Sequence, residues 1–147
     1  RPYRLQALLD LIGNGLKGAA LWEQVGFVWV DAEAIHVNKK LGGNLFQRAA
    51  IDHDGKEMMS PDEQFTLNGL PPIINVYRGA SAPEKRPGVS WTLDYSRALF
   101  FARRFKRPGP IVWTLRCPKK RAVAYFGGRN EQEIIILNCK GAVREAL

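Results

Sequence analysis

The chain has 147 residues, of which 46% are hydrophobic and 24% charged, and it carries a formal charge of +8 at neutral pH. Those values fit one globular domain with a core of its own, and they exclude a disordered or low-complexity polymer. No apolar run approaches the roughly 18 residues of a membrane span, no signal-peptide pattern opens the chain, and no membrane partner is expected. The basic excess favours nucleic acid, an anionic cofactor or an acidic protein as partner without choosing among them, a solubilising surface being the plain alternative. The only cysteines, Cys117 and Cys139, make no disulfide framework and are expected as reduced thiols in a cytosolic setting. Because the chain opens with Arg1, a domain cut from a longer protein or a processed product is expected.

In chain order, Leu5, Leu8, Leu9, Ile12 and Leu16 recur at helical spacing, interrupted near Gly13 and Gly15. Residues 18–30 are apolar and mixed, and Phe27-Val28-Trp29-Val30 reads equally as a strand or as the core end of a helix. Residues 31–50 are helical in pieces, with a break at Leu41-Gly42-Gly43, and residues 52–69 form a loop with one short helix after Ser60-Pro61. Residues 1–70 are thus expected to be the mainly helical part of a single domain, and residues 71–147 its β-rich part.

After Pro71-Pro72, Ile73-Ile74-Asn75-Val76-Tyr77 is a predicted strand ending in Arg78-Gly79, followed by a loop over 80–87 and a short strand at Val89-Ser90-Trp91-Thr92. Asp94 can cap a helix running to about Phe105, on which Ala98, Phe101, Ala102 and Phe105 form an apolar stripe. Lys106-Arg107-Pro108-Gly109-Pro110 is a loop, and Ile111–115 and 122–125 are strands. A turn at Gly127-Gly128 leads to Glu131-Gln132-Glu133-Ile134-Ile135-Ile136-Leu137. Read as one strand, this run puts Glu131 and Glu133 on the same face, with their Cα atoms roughly 6.5–7 Å apart. Beyond them both faces are apolar, as in a buried strand. Two acids at the mouth of a buried strand are costly without partners or a task.

Each candidate has an ordinary reading. Arg78 alone is a strand-end arginine paired with a surface acid, Ser90 and Thr92 an exposed strand face, and the two glutamates a solvated strand start. Other chemistries lack their signatures. Asp52-His53-Asp54-Gly55 lacks the register of a calcium loop. His36 and His53 have no Cys or Glu neighbour at ligand spacing, so no metal is expected. No Gly-x-x-x-x-Gly-Lys, Gly-x-Gly-x-x-Gly or nucleophile elbow is present.

Taken in order, Tyr77-Arg78-Gly79, then Ser90-Trp91-Thr92 with Ala98 and Phe101 in the following helix, then Glu131-Gln132-Glu133-Ile134, resemble the toxin-like Arg-Ser-Glu class of the ADP-ribosyltransferase superfamily. The resemblance covers residues 73–137. It implies an α+β fold, a split β-sandwich of two small, mostly antiparallel sheets with a helical N-terminal part, and a cleft for NAD as substrate, with no metal. It gives Glu133 the role of catalytic glutamate, Glu131 that of orienting or deprotonating the acceptor, Ser90 that of bracing Glu133, and Arg78 that of an anion contact on NAD. Gly79, Trp91, Thr92, Phe100 and Arg107 are the further cofactor-binding candidates, Lys106 a weaker one. Phe101, being on the apolar stripe, is assigned to the core. Tyr125-Phe126-Gly127-Gly128-Arg129-Asn130 matches the family's acceptor-recognition loop.

The activity so implied is mono-ADP-ribosyl transfer from NAD to a protein, arginine first, or to nucleic acid. The expected site of action is the cytoplasm, for a toxin, effector or phage-conflict protein that is open to delivery by secretion and to control by an inhibitor or immunity protein. An NAD glycohydrolase of the same fold and a non-catalytic basic nucleic-acid-binding module are the alternatives.

Overall fold

The computed structural model describes residues 55–128 and 131–147. The helical expectation for residues 1–54, the two histidines and Arg129-Asn130 lie outside them.

A 3-10 turn at Gly55–Met58 precedes helix α1, Pro61–Asn68. Ser60 caps it reciprocally: Glu63 N donates to Ser60 Oγ at 3.2 Å and Ser60 N to Glu63 Oε1 at 2.9 Å, while Pro61 fills the first turn, where no N–H is needed. At the other end Lys119 Nζ donates to the Asn68 and Leu70 carbonyls at 2.8 and 2.9 Å, placing a cation where the helix dipole is negative.

The described strands are β1 (Ile73–Ala80), β2 (Ser90–Thr92), β3 (Ile111–Pro118), β4 (Ala122–Phe126), β5 (Glu133–Ile136) and β6 (Val143–Ala146), with helix α2 (Tyr95–Arg103) between β2 and β3. All strand pairs are antiparallel, in the order β4-β5-β2-β1-β3-β6. The fold is therefore α+β, and the strands expected to form two sheets join in one of six strands. That sheet has a weak seam. β1 and β3 pair along eight positions, whereas β1 and β2 meet only at Tyr77 and Thr92. The reason is local: β2 is three residues long and runs at once into the α2 cap.

Most of the core lies on one side of the sheet, around Ile74, Val76, Trp91, Leu115, Ile134 and Ile136, while Ile135, equally buried, alternates to the other face. Helix α2 covers Tyr77 and Val112 on the other side with the fully buried Ala98 and Ala102. Asp94 Oδ1 accepts from Ser96 N at 2.9 Å, as the capping residue should. The helix approaches β1 so closely that a Cβ on Gly79 would lie 1.8 Å from the Ala98 carbonyl oxygen. Only glycine fits there.

Three local expectations are corrected. β1 continues through Ala80, so Arg78 is inside the strand, paired with Trp113, rather than at its end. β5 begins at Glu133, not Glu131, because Gln132 takes a left-handed backbone with φ 47° and breaks the alternation. β6 has no counterpart in the sequence reading. Its four residues are all exposed at the sheet's edge, so no hydrophobic alternation marks them.

Candidate functional site

Arg78, Ser90, Thr92, Glu131 and Glu133 line one cavity of about 770 Å³. Register explains the meeting of Ser90 and Glu133. Glu133 lies opposite Thr92, and Ser90 opposite Ile135, so Ser90 is the diagonal neighbour of Glu133 on one sheet face. A glutamate is long enough for that diagonal, and Ser90 Oγ donates to Glu133 Oε2.

Arg78 enters from across the seam. Val89 O accepts from Ile136 N on the β5 side, and successive strand carbonyls alternate, which leaves Ser90 O facing β1. Where the β1–β2 ladder stops, the arginine side chain takes that carbonyl, Nη1 donating at 3.0 Å. Glu84 of the 80–88 loop accepts from Nε at 3.0 Å and from Nη2 at 3.4 Å. Arg78 and Glu84 are only 16% and 17% exposed, so the pair is shielded enough to orient the guanidinium. Three of the five guanidinium N–H groups are used in this way, and the other two have no partner among the described residues. A Cβ on Gly88 would come within 2.9 Å of Nη2, so the guanidinium rests against the end of this loop. Arg144 Nη1 donates to the Glu84 carbonyl at 3.0 Å and ties the loop to β6.

Thr92, nearly buried, fastens the acidic turn to the helix. Its Oγ1 donates to the Glu131 carbonyl at 2.6 Å and accepts from Asp94 N at 3.0 Å, while Leu93 N donates to the Gln132 carbonyl at 3.1 Å. The two acids thus share the cavity through a kinked turn, not through the strand pleat. The Glu131 carboxylate has no partner among the described residues and is partly exposed.

The remaining candidates divide. Gly79 lines the cavity, but its backbone also makes the close approach to α2. Trp91 lies along the wall with its indole in the core, 2% exposed, and Nε1 lacks a partner among the described residues. The aromatic placement is reversed: Phe101 lines the cavity, and Phe100, 55% exposed, does not. The apolar stripe of α2 stays buried only while the helix lies over the sheet, so its C-terminal members overhang the cavity instead of entering the core. Similarly Arg104 and Phe105 line the cavity where Lys106 and Arg107 were expected. Lys106 has φ 49°, and the chain turns away there. Glu84 carried no sequence signal, because an acid in a polar loop says nothing of its partner.

Just after β4, Gly127 N donates to Glu63 Oε2 at 2.9 Å, so the capping glutamate of α1 also holds the end of that strand. Burial, reinforced by the Glu63 carboxylate, raises the Tyr125 pKa. Among the described residues no group of His, Cys, Asp and Glu is placed to hold a metal ion, and no helix is long and apolar enough to cross a membrane. Comparison with protein-family models, with curated proteins and with solved structures finds no match to this chain.

Proposed function

We propose that this chain is a mono-ADP-ribosyltransferase that moves ADP-ribose from NAD to a macromolecular acceptor and releases nicotinamide. The observation that carries the reading is the link from Arg78 through Ser90 to Glu133: side chains 12 and 43 positions from Ser90 in sequence converge on that one residue inside one cavity. A volume of about 770 Å³ suits a dinucleotide, since small-molecule and cofactor sites span about 300–1,000 Å³. The seam between β1 and β2 is the place where we read the sheet as two halves, β4-β5-β2 and β1-β3-β6, flanking a cleft as in the family's split sandwich.

In the reaction the bond between ribose C1′ and the nicotinamide nitrogen breaks, its electron pair leaves with nicotinamide, and an acceptor lone pair forms the new bond to C1′. Positive charge develops on the ribose as in glycoside cleavage. Glu133, fixed by the Ser90 hydroxyl, is a preorganised carboxylate for the ribose 2′-hydroxyl and for that charge. Such a group contributes about 3–4 kcal/mol to the transition state. Arg78 offers its two remaining N–H groups to a phosphate oxygen. Glu131, without a carboxylate partner among the described residues and partly exposed, is available to take the acceptor's proton as the new bond forms.

The test is labelled NAD added with the purified chain to a cell extract, followed by separate protease and nuclease digestion. Label retained on a macromolecule, with equimolar nicotinamide released, is the expected result. Nicotinamide released without macromolecular label identifies the glycohydrolase, and no turnover of NAD in any mixture removes the enzyme.

A further inference from the structure

We propose that the C-terminal end of α2 and the turn after it form a docking face for single-stranded nucleic acid, which makes a nucleic-acid strand the acceptor class of the cavity beside it. Three observations converge on this face.

The first is charge. The stretch from Tyr95 to Asn130 contains ten of the chain's 22 basic residues and none of its 14 acidic ones, so it accounts for the whole positive excess. Four of those cations, Arg103, Arg104, Lys106 and Arg107, fall within five exposed residues. The second is aromatic surface. Phe100 and Phe105 are 55% and 54% exposed, unusual for phenylalanine, and they interleave with the cations. The third is geometry. The Arg104 guanidinium lies 5.0 Å from the Phe101 ring centre and 4.5 Å from that of Phe105, with Arg107 5.4 Å from Phe105.

Cations alone would suit any polyanion. Rings and guanidinium planes held together suit unpaired bases, each of which has a face to stack while its phosphate is neutralised alongside. A duplex keeps its bases stacked on one another and gains only the charge, and an acidic peptide has no bases to offer. Phe101, Arg104 and Phe105 line the same cavity as Glu131 and Glu133, so a strand held there is presented to the carboxylates. The acceptor role rests on the transferase reading, whereas docking is measured without NAD.

The experiment is fluorescence anisotropy of the whole chain with labelled single-stranded RNA and DNA 20-mers of mixed sequence, the matching duplex, and polyglutamate as competitor, over a range of salt. Micromolar or tighter binding of a single strand at low salt is expected, with the duplex and polyglutamate at least tenfold weaker. Phe105→Ala should weaken binding about five- to a hundredfold. Arg107→Gln should lower the slope of log K against log salt by about 0.7. Lys140→Gln, an exposed change on a distant turn, should leave the affinity within about twofold, and melting curves confirm that each variant folds. Equal binding of duplex and single strand with no effect of Phe105→Ala, equal competition by polyglutamate, or no binding at all overturns the docking face. A strand that binds but stays unlabelled while proteins in the same mixture take ADP-ribose overturns the acceptor role and leaves the transferase standing. Strand binding without any NAD turnover removes the transferase and the acceptor role with it, and leaves the docking face standing.

Discussion

At the residue scale, the site depends on how little freedom its charged groups have. The Ser90 hydroxyl contributes only by holding Glu133, so Ser90→Ala should lower kcat about ten- to a hundredfold with a smaller change in KM for NAD. A variant with unchanged kcat would show that the carboxylate does not need the hydroxyl. In the proposed reaction Glu131 acts on the acceptor, so Glu131→Gln should reduce transfer at least tenfold more than plain NAD hydrolysis. Equal losses in both would remove that role. Glu84 is the less obvious case. Its carboxylate takes Nε and one Nη2 N–H of Arg78, and it would add negative charge beside a phosphate held on the two remaining N–H groups. Relief of one partly exposed like charge is worth about 1 kcal/mol, so Glu84→Gln should lower KM for NAD about fivefold with kcat little changed. A higher KM would instead mean that Glu84 serves mainly to hold the arginine in place.

At the scale of elements, β1 and α2 approach so closely that position 79 has no room for a side chain. Gly79→Ala places a methyl group on the Ala98 carbonyl, and backbone there has nowhere to go. The variant should lose about 3 kcal/mol or more, read as a lowered melting temperature or failure to accumulate folded protein. A melting temperature within a degree or two of the parent would contradict the packing described. This element also shows what sequence could supply. The strand periods of β1, β3 and β5, the Asp94 cap and the Ala98–Ala102 stripe were all legible, because local pattern and burial agree in them. Less legible was everything decided by what lies across the chain. Phe101 and Phe100 exchange places because a stripe says which face is apolar, not where the sheet beneath it ends. The pairing of Glu131 and Glu133 survives the loss of its expected cause: Gln132 breaks the pleat, and Thr92 fastens the turn so that both acids still reach one cavity.

At the scale of the molecule, a sheet joined at one residue pair makes the site a junction between two antiparallel halves. The edge-on contact of Tyr77 with Tyr95, ring centres 5.2 Å apart, fixes α2 beside that junction. The core reports on the integrity of the β1–β3 half through Cys117, which faces Ile74 in the register and is 2% exposed. Burial raises its thiol pKa, with Arg121 opposing weakly, and burial raises Tyr125 as well. The folded chain therefore holds both protons more tightly than the unfolded chain. Their contribution is fully retained below the ordinary thiol value of 9.0 and lost progressively as pH rises past it toward the folded values. The melting temperature should accordingly fall as pH rises above about 9, and native-state alkylation should modify Cys139 well before Cys117. Equal alkylation rates would show that the core opens readily.

The claim on which the account turns is that Glu133 stabilises charge developing on a ribose of bound NAD. The direct measurement is nicotinamide release at saturating NAD by the parent chain and by Glu133→Gln, with NAD affinity measured alongside. The account predicts at least a hundredfold loss of rate with affinity changed less than about fivefold. Release at a comparable rate by both proteins would contradict it.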